Sequence, residues 1–435
     1  MKRAETRWIV GPGLLMEAGF LLLAGLRQPS TQWPLLLFTY VTLFLLMWGV
    51  FVRARNMASP LNRRQQILIG GFALLFRLTL LVSPPTLSDD IYRYGWEGRV
   101  QRAGFSPYND APSSPNLASL RGTTYERINH KDIPTIYPPL TQIVFRLGSY
   151  LGDGLSHRVS FQAAEVLSQK CIFLLFDVLS LAMVWLLLKQ RGLLGGRIVL
   201  YAWNPLIILE FAGSGHNDSL GIFFLLAGLW LWSDKKKWSA LWGSASFAMS
   251  FLAKYLSVLW MPYMVWKRRW KELVLFGALA GLGLIPFCAC WLMTHGAKHY
   301  LSNWQFNGSV YSLLQAVAGP ELAKRIVGVA LVGLSVWVGK KEEDIFRVSY
   351  VLVAASLLLA PTVHPWYFTW LVPFLCVYPN VAFLVWNGTI VLSYTVWRRY
   401  ALYHVWDLHP AVQCLEYIPV YALWVYEYRR HHSRV

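Results

Sequence analysis

Residues 66–99 read QILIGGFALLFRLTLLVSPPTLSDDIYRYGWEGR, and this stretch decides the fold. Its first part, 66–84, is apolar apart from Arg77 and long enough to cross a bilayer as a helix. Pro84 and Pro85 end that run, and Asp89, Asp90, Arg93, Glu97 and Arg99 follow within a dozen residues. Charge is costly to hold beside lipid, so a dense ionic cluster where a span ends marks a site.

The rest of the chain repeats the apolar theme. Hydrophobic residues make up 56% of its 435 residues and charged residues 14%, far from the balance of a soluble domain. Backbone polar groups in lipid must be satisfied internally, which leaves helices or a closed barrel. Long apolar runs without strict alternation exclude the barrel. The expectation is an all-α polytopic membrane protein.

A formal charge of +18 invites a nucleic-acid partner. The basic residues, however, fall in short loops: Arg53, Arg55, Arg63 and Arg64; Lys189, Arg191 and Arg197; Lys235 to Lys237; Lys267, Arg268, Arg269 and Lys271; Lys340 and Lys341; Arg429, Arg430 and Arg434. That is the positive-inside pattern, and no nucleic acid is expected. The cysteines Cys171, Cys288, Cys290, Cys376 and Cys414 lie in or beside apolar stretches without zinc-like spacing, so packing is their expected role. Met1, Lys2 and Arg3 precede an apolar run that lacks a convincing cleavage site, as expected of an uncleaved first span.

Hydropathy places spans near 9–27, 34–52, 66–84, 170–189, 197–213, 218–233, 238–254, 255–266, 271–294, 325–339, 345–362, 366–379, 381–397 and 409–426. A bundle of roughly 13–14 crossings follows. Residues 136–151, apolar but short and carrying Arg146, are expected to embed or re-enter from the outer side, because a crossing there would put the loop at Lys189 and Arg197 outside. Every basic loop then shares one face, both termini are cytoplasmic, and residues 1–435 form one domain with an outer loop at about 85–135. Asp89 and Asp90, His216-Asn217-Asp218, Lys254, the 295–320 loop and His364 all fall on the opposite, outer face.

These residues can carry chemistry. A carboxylate can take a proton from an attacking hydroxyl, and cations can neutralise a departing phosphate. Asp89 and Asp90 are adjacent and diverge by about 100° on a helix, so they cannot serve one substrate equally. Asp90 shares a face with Arg93 and Tyr94. The plainer alternative is a helix cap by Ser88 or Asp89. Arg93, Arg99, Lys254 and His364 are the cationic candidates, with membrane snorkelling the alternative for Lys254. His216, Asn217 and Asp218 form a polar outer turn that suits sugar hydroxyls or phosphate, or merely caps a helix. Trp304 and Asn307 belong to an outer loop that interleaves aromatics and amides; an interfacial belt is its alternative role. Tyr137-Pro138-Pro139 shapes a lipid access cleft or starts a helix. No compact ligand spacing supports a metal site. No cofactor is expected, and only a loosely held divalent cation is left open.

Together the motifs resemble a known family. Ser88-Asp89-Asp90-Ile91-Tyr92-Arg93-Tyr94, Gly98-Arg99-Val100-Gln101, Ala103-Gly104 and Pro107-Tyr108 are similar to the first outer loop of bacterial polyprenyl-phosphate-sugar-dependent glycosyltransferases. So are Ile128-Asn129-His130, Pro134-Thr135-Ile136-Tyr137-Pro138-Pro139, His216-Asn217-Asp218, Ala253-Lys254, Trp304-Gln305-Phe306-Asn307-Gly308 and His364-Pro365-Trp366-Tyr367. These are GT-C fold enzymes, in particular mannosyltransferases related to glycosyltransferase family 87. The resemblance runs from residue 66 onward; Glu97 stands where these relatives usually carry Asp.

The resemblance implies a GT-C-like bundle with a long first catalytic outer loop, a polyprenyl-phosphate hexose donor (commonly mannose), and an inverting mechanism. It implies a bacterial inner-membrane location and a periplasmic or extracellular active site. The acceptor is expected to be a glycan or glycolipid, with membrane lipids as the surrounding partner. Asp90-x-x-Arg93-Tyr94 resembles the start of the aminoarabinose transferases, which makes Asp90 the expected base and Asp89 its second. Arg93, Arg99, Lys254 and His364 are expected to bind the donor phosphate. Tyr94, Trp96, Glu97, His130, Tyr137, His216, Asn217, Asp218, Trp304, Asn307, Trp366 and Tyr367 are expected to line the substrate site. A transporter or flippase for lipid-linked sugars is the alternative; it calls for inverted repeats and paired mid-membrane breaks, whereas no repeat is evident here.

Overall fold

The computed structural model describes residues 6–57, 60–234, 236, 238–287 and 295–432. Met1, Lys2, Arg3, Lys235, Lys237, Cys288, Cys290, Arg434 and the end of the expected 271–294 span lie outside the described residues. The chain is all-α: 77% is helical, and among the described residues the extended pairing consists of isolated bridges from Phe306 and Asn307 to Thr362.

Three long helices open the chain: α1 (Arg7–Ala24), α2 (Pro29–Arg55) and α3 (Arg63–Leu81). The outer segment follows with α4 (Asp90–Arg102) and α5 (Pro139–Leu155), and α6 (Phe161–Gln190) returns through the bundle. Further on come α7 (Asp218–Trp232), α8 (Ser239–Ala253), α9 (Trp270–Leu284), α10 (Pro320–Lys341), α11 (Ile345–Leu359) and α12 (Pro410–His432). By length and apolarity, α1, α2, α3, α6 and α10 could each cross a membrane.

Other apolar stretches depart from simple spans. Residues 197–213 form short helices over Val199–Ala202 and Pro205–Ile208 and then a π-helical turn, Leu209–Ser214. Residues 366–379 divide into Pro365–Phe368 and Val372–Val377. Proline explains both breaks, because Pro205 and Pro373 lack the N–H that a continuous helix needs. These interrupted segments are almost wholly buried, as broken backbone at membrane depth must be.

The two expected spans 238–254 and 255–266 fold as a hairpin. The helix stops at Lys254, whose backbone is extended (φ −159°, ψ 128°), and Ser257 donates to Ser250 Oγ across the turn at 2.7 Å. A buried ion pair ties α3 to α6: Arg77 Nε lies 2.6 Å from Asp177 Oδ2, and Arg77 also donates to Ala202 O at 2.8 Å. Such a pair holds position more than it adds net stability.

α4 is the floor of the outer loop. Every residue from Ile91 to Gly98 is buried, and α4 packs on both α5 and α6. Gly98 permits this: a Cβ there would run into the backbone carbonyl of Phe145 on α5. Asp90 in the first turn with Arg99 and Arg102 in the last complements the helix dipole.

Candidate active site

Asp89 and Asp90 sit half-buried where α4 begins. Asp89 occupies the N-cap position, yet its carboxylate makes no capping bond; Ser88 Oγ accepts from Asp90 N at 3.3 Å instead. Both carboxylates turn to Asn129, whose Nδ2 donates to Asp89 Oδ1 and to Asp90 Oδ1, each at 2.8 Å. Burial pushes the Asp90 carboxyl up to about 6, helped by the Asp89 charge and opposed by the Asn129 bond and by Lys254. Burial also raises Asp89, against the Asn129 bond. A carboxylate that is ionised at neutral pH but binds a proton readily is suited to act as a base.

The polar turn at 216–218 meets this pair. His216 Nδ1 lies 4.0 Å from Asp90 Oδ2, and Asn217 Oδ1 accepts from Tyr94 Oη at 3.3 Å. Tyr94 is stacked on Phe145 (4.4 Å, 12°) and meets Tyr137 edge-on. The Asn217 Nδ2 donor is buried and has no protein partner. Asp218, fully buried, accepts from Trp370 Nε1 at 2.7 Å and pairs with Lys254 Nζ at 2.8 Å. The ammonium of Lys254 rests 4.6 Å from the centroid of Tyr367 and stays partly exposed. Thr141 Oγ1 donates to Ala253 O at 2.8 Å, so the start of α5 is tied to the Lys254 turn.

Four rings form a column beside the aspartates. His216 stacks on Trp366 (4.1 Å, 17°), Trp366 on His364 (4.3 Å, 5°) and His364 on Phe306 (4.5 Å, 18°). Burial, then Lys254, lowers His364 to about 3; burial, Lys254 and His364 lower His216 as well. Both rings are neutral near pH 7. His364 therefore offers an N–H bond but not the positive charge expected of it. Tyr367 Oη and Tyr300 Oη are 2.7 Å apart, which brings the 295–303 helix to the site.

Other expected site residues hold the loop together. Arg93 is buried: it pairs with Glu97 Oε1 at 2.6 Å and donates to the carbonyls of Asn129, His130 and Ile133. It thereby fixes the strap that carries Asn129. Glu97 Oε2 accepts from Thr135 Oγ1 at 2.7 Å and from Gln142 Nε2 at 2.5 Å. Arg99, nine residues after Asp90 and so on the opposite side of α4, pairs with Glu165 at 2.8 Å and lies over Trp96 and Phe161. Trp96 is buried with Val100, Leu117 and Ile128 in the loop's own core.

His130 has a positive φ of 44° and packs edge-on against Trp304 at 4.4 Å. Asn307, also left-handed at φ 54°, donates to buried Glu416 at 3.0 Å. Asp89, Asp90, Tyr94, Tyr137, His216, Asn217, Asp218, Lys254, His364, Trp366 and Tyr367 thus come together. Arg93, Trp96, Glu97, Arg99 and Asn307 support the surrounding structure, and His130 packs on Trp304, which lies 5.4 Å from Tyr300 and so borders the site from the 295–303 helix.

Several residues at the site were not anticipated in these roles. Asn129 was visible only as part of a motif. Trp370 reads as one more interfacial aromatic. Glu210 had a signal: it is an ionisable residue inside the apolar run 205–213, where charge marks function. Its Oε2 lies 3.3 Å from His216 Nε2.

An all-α membrane protein with a carboxylate pair, a lysine and buried aromatics gathered at one end of its helices fits the membrane glycosyltransferase class. The chain belongs to the MptA/B family, described as alpha-(1->6)-mannopyranosyltransferase, N-terminal domain, whose model matches residues 10–269. It is 26% identical over 195 residues to alpha-(1->6)-mannopyranosyltransferase A of Corynebacterium glutamicum, covering 43% of this chain and 36% of that one. With the Mycobacterium tuberculosis protein of the same name it shares 22% over 389 residues, 77% of this chain and 69% of that one. A shorter stretch of 65 residues is 40% identical to the undecaprenyl phosphate-alpha-4-amino-4-deoxy-L-arabinose arabinosyl transferase of Pseudomonas aeruginosa, 15% of this chain and 12% of that one. The match thus reaches about a third of the Corynebacterium relative and about two thirds of the Mycobacterium one. No solved structure matches.

Proposed function

We propose that the protein is an inverting glycosyltransferase that moves a hexose, mannose by the names of its relatives, from a polyprenyl-phosphate donor to a glycan or glycolipid hydroxyl. The observation that carries this reading is Asp90, half-buried at the mouth of α4, oriented by Asn129 and facing the 216–218 turn and Lys254. Asp90 takes the acceptor proton as the hydroxyl oxygen attacks the anomeric carbon. The bond from that carbon to the phosphate oxygen breaks on the opposite side, and the lipid leaves as its phosphate monoester.

Lys254 meets the charge that builds on the phosphate, and the neutral His364 ring contributes a hydrogen bond rather than a second charge. His216 and His364 cover the faces of Trp366 and Lys254 lies over Tyr367, so these two rings border the sugar with their partly exposed edges, and the unpartnered Asn217 amide offers a donor to one of its oxygens. Asp89 shares Asn129 with Asp90 and keeps the base oriented. Basic loops on one face and this cluster on the other support an active site outside the inner membrane, with both termini cytoplasmic.

Purified protein in liposomes, given radiolabelled polyprenyl-phosphate mannose and a lipid acceptor, tests the reading. Asp90→Asn is expected to lower transfer by about 10²–10⁴-fold, with Asp89→Asn less severe. Full activity in both variants contradicts the base assignment. Movement of the lipid-linked sugar across the bilayer without transfer contradicts the enzyme.

A further inference from the structure

The proposed transfer gives no part to His216 or Glu210, although the two meet directly behind Asp90. His216 Nε2 lies 3.3 Å from Glu210 Oε2, and Nδ1 lies 4.0 Å from Asp90 Oδ2. Glu210 is fully buried, and its other oxygen, Oε1, accepts from Tyr394 Oη. Oε2 of Glu210 and Nε2 of His216 are both buried and have no other partner. Two orphaned polar atoms within hydrogen-bond reach of each other call for a proton between them.

The local fold builds this geometry. The π-helical turn Leu209–Ser214 closes with Gly215 in a left-handed conformation (φ 76°), and His216 N donates to Glu210 O at 3.0 Å. A side chain at Gly215 would collide with Ile91 of α4 and with Lys170 of α6. The turn therefore folds back on itself, setting the imidazole above the Glu210 carboxyl and against α4. Trp366, nearly parallel to the ring at 4.1 Å, fixes its plane.

The charges around the pair decide which atom holds the proton. On Nε2 it would leave Glu210 a buried anion, and among the described residues no lysine or arginine stands within ion-pair distance to offset that charge. It would also turn a bare Nδ1 lone pair toward the Asp90 carboxylate. An imidazolium is opposed by burial and by Lys254. With the proton on Glu210 Oε2 the acid is neutral, Nε2 accepts, and Nδ1 carries an N–H that faces Asp90. The hydrogen bond at one ring nitrogen thus sets the state of the other.

We propose that Glu210 is a built-in hydrogen-bond donor that locks His216 in its Nδ1–H tautomer and so positions the Asp90 carboxylate, an inference that rests on Asp90 being the base. No proton is passed along this line. Asn129 holds Oδ1 of Asp90, and His216 Nδ1–H holds Oδ2 once the 4.0 Å gap closes, as catalytic contacts commonly tighten with substrate bound. Glu210 and His216 act through Asp90 and are positioning residues. Asp89, Tyr94 and Tyr137 face Asp90; Asp218, Lys254 and His364 face the His216 turn, with Tyr300 and Tyr367 beyond; Tyr40 and Tyr394 face Glu210. Lys254 is the cation among them, and it acts on Asp90 and His216.

The test compares wild type, Glu210→Met, Glu210→Gln, His216→Phe, the Glu210→Met/His216→Phe double variant and Asp90→Asn in liposomes with the same labelled donor, while Tm in detergent reports folding. Glu210→Met cannot donate, and it is expected to lose on the order of tenfold in kcat. Its acid limb, near pH 6 in wild type, is expected to move to higher pH, because the Asp90 anion loses a fixed donor. Glu210→Gln keeps an N–H for His216 and a carbonyl for Tyr394, and it is expected to rescue most of the rate and return the limb to its place. In the His216→Phe background, Glu210→Met is expected to cost no further rate, because Glu210 acts through His216. Solid-state NMR of wild-type protein carrying isotope-labelled histidine is expected to show a protonated Nδ1 and a bare Nε2 for the signal that His216→Phe removes. A protonated Nε2, or a Glu210→Gln protein of wild-type Tm as slow as Glu210→Met, overturns the donor role. If Asp90→Asn is inactive while Glu210→Met keeps the wild-type rate and limb, the base reading stands and only this inference falls. Full activity in Asp90→Asn removes both.

Discussion

Asp90 and Lys254 are coupled, and the coupling has a sign. Lys254 stabilises the Asp90 anion and so opposes the upward push of burial and of Asp89. Only ionised Asp90 can take a proton, so activity should rise with pH through about 6 and level off above it. In Lys254→Ala the lowering influence is gone, and the acid limb should move to higher pH, while donor KM rises as the phosphate loses its cation. A pH series of kcat/KM checks both; an unmoved limb would separate Lys254 from the base. At this scale the sequence was informative about identity more than about orientation. Asp90, His216, Lys254 and His364 were recognisable as a converging set, because polar groups beside apolar spans are rare. The partners were not: whether Arg93 meets a substrate or three loop carbonyls depends on how the 129–133 strap folds back. Helical periodicity alone already turns Arg99 to the far side of α4 from Asp90.

The elements that hold the site are sensitive where backbones approach closely. At Gly98, an added methyl would strike the Phe145 carbonyl and lift α4 from α5. Gly98→Ala is therefore expected to reduce transfer severalfold with little loss of expression, and crosslinking between cysteines introduced on α4 and α5 would report the displacement. The Arg77–Asp177 pair is a second such point. Arg77→Met leaves a buried carboxylate uncompensated and should cost about 3–5 kcal/mol, visible as a lower Tm in detergent. Asp177→Leu added to it should recover much of that loss; no recovery would mean that Arg77 acts mainly through its bond to Ala202 O. The long helices were legible as apolar runs. The π-turn at 209–214, the divided 366–379 stretch and the hairpin at Lys254 were not, because hydropathy averages over a window and carries no register.

Across the whole molecule, the charge pattern and the site agree on one orientation. Asn109, exposed on the outer loop, and Lys340, exposed at the end of α10, lie on opposite faces in this topology. In a cysteine-free background, Asn109→Cys should react with an impermeant thiol reagent on intact spheroplasts, and Lys340→Cys only after the membrane is opened. The reverse pattern would place the site inside. Fold class was the most legible property, since composition and the bilayer leave so few alternatives. The site required distant segments to meet, and only the folded chain brings residues 89–90, 129, 210–218, 254 and 364–370 to one place.

The most direct measurement is the pH dependence of mannosyl transfer by wild type and Asp90→Asn under donor-limited conditions. Wild type should show an acid limb of unit slope centred near 6. Asp90→Asn should be slower by about 10²–10⁴-fold and should lack that limb. The same limb in both proteins, at comparable rates, would show that the acceptor proton goes elsewhere.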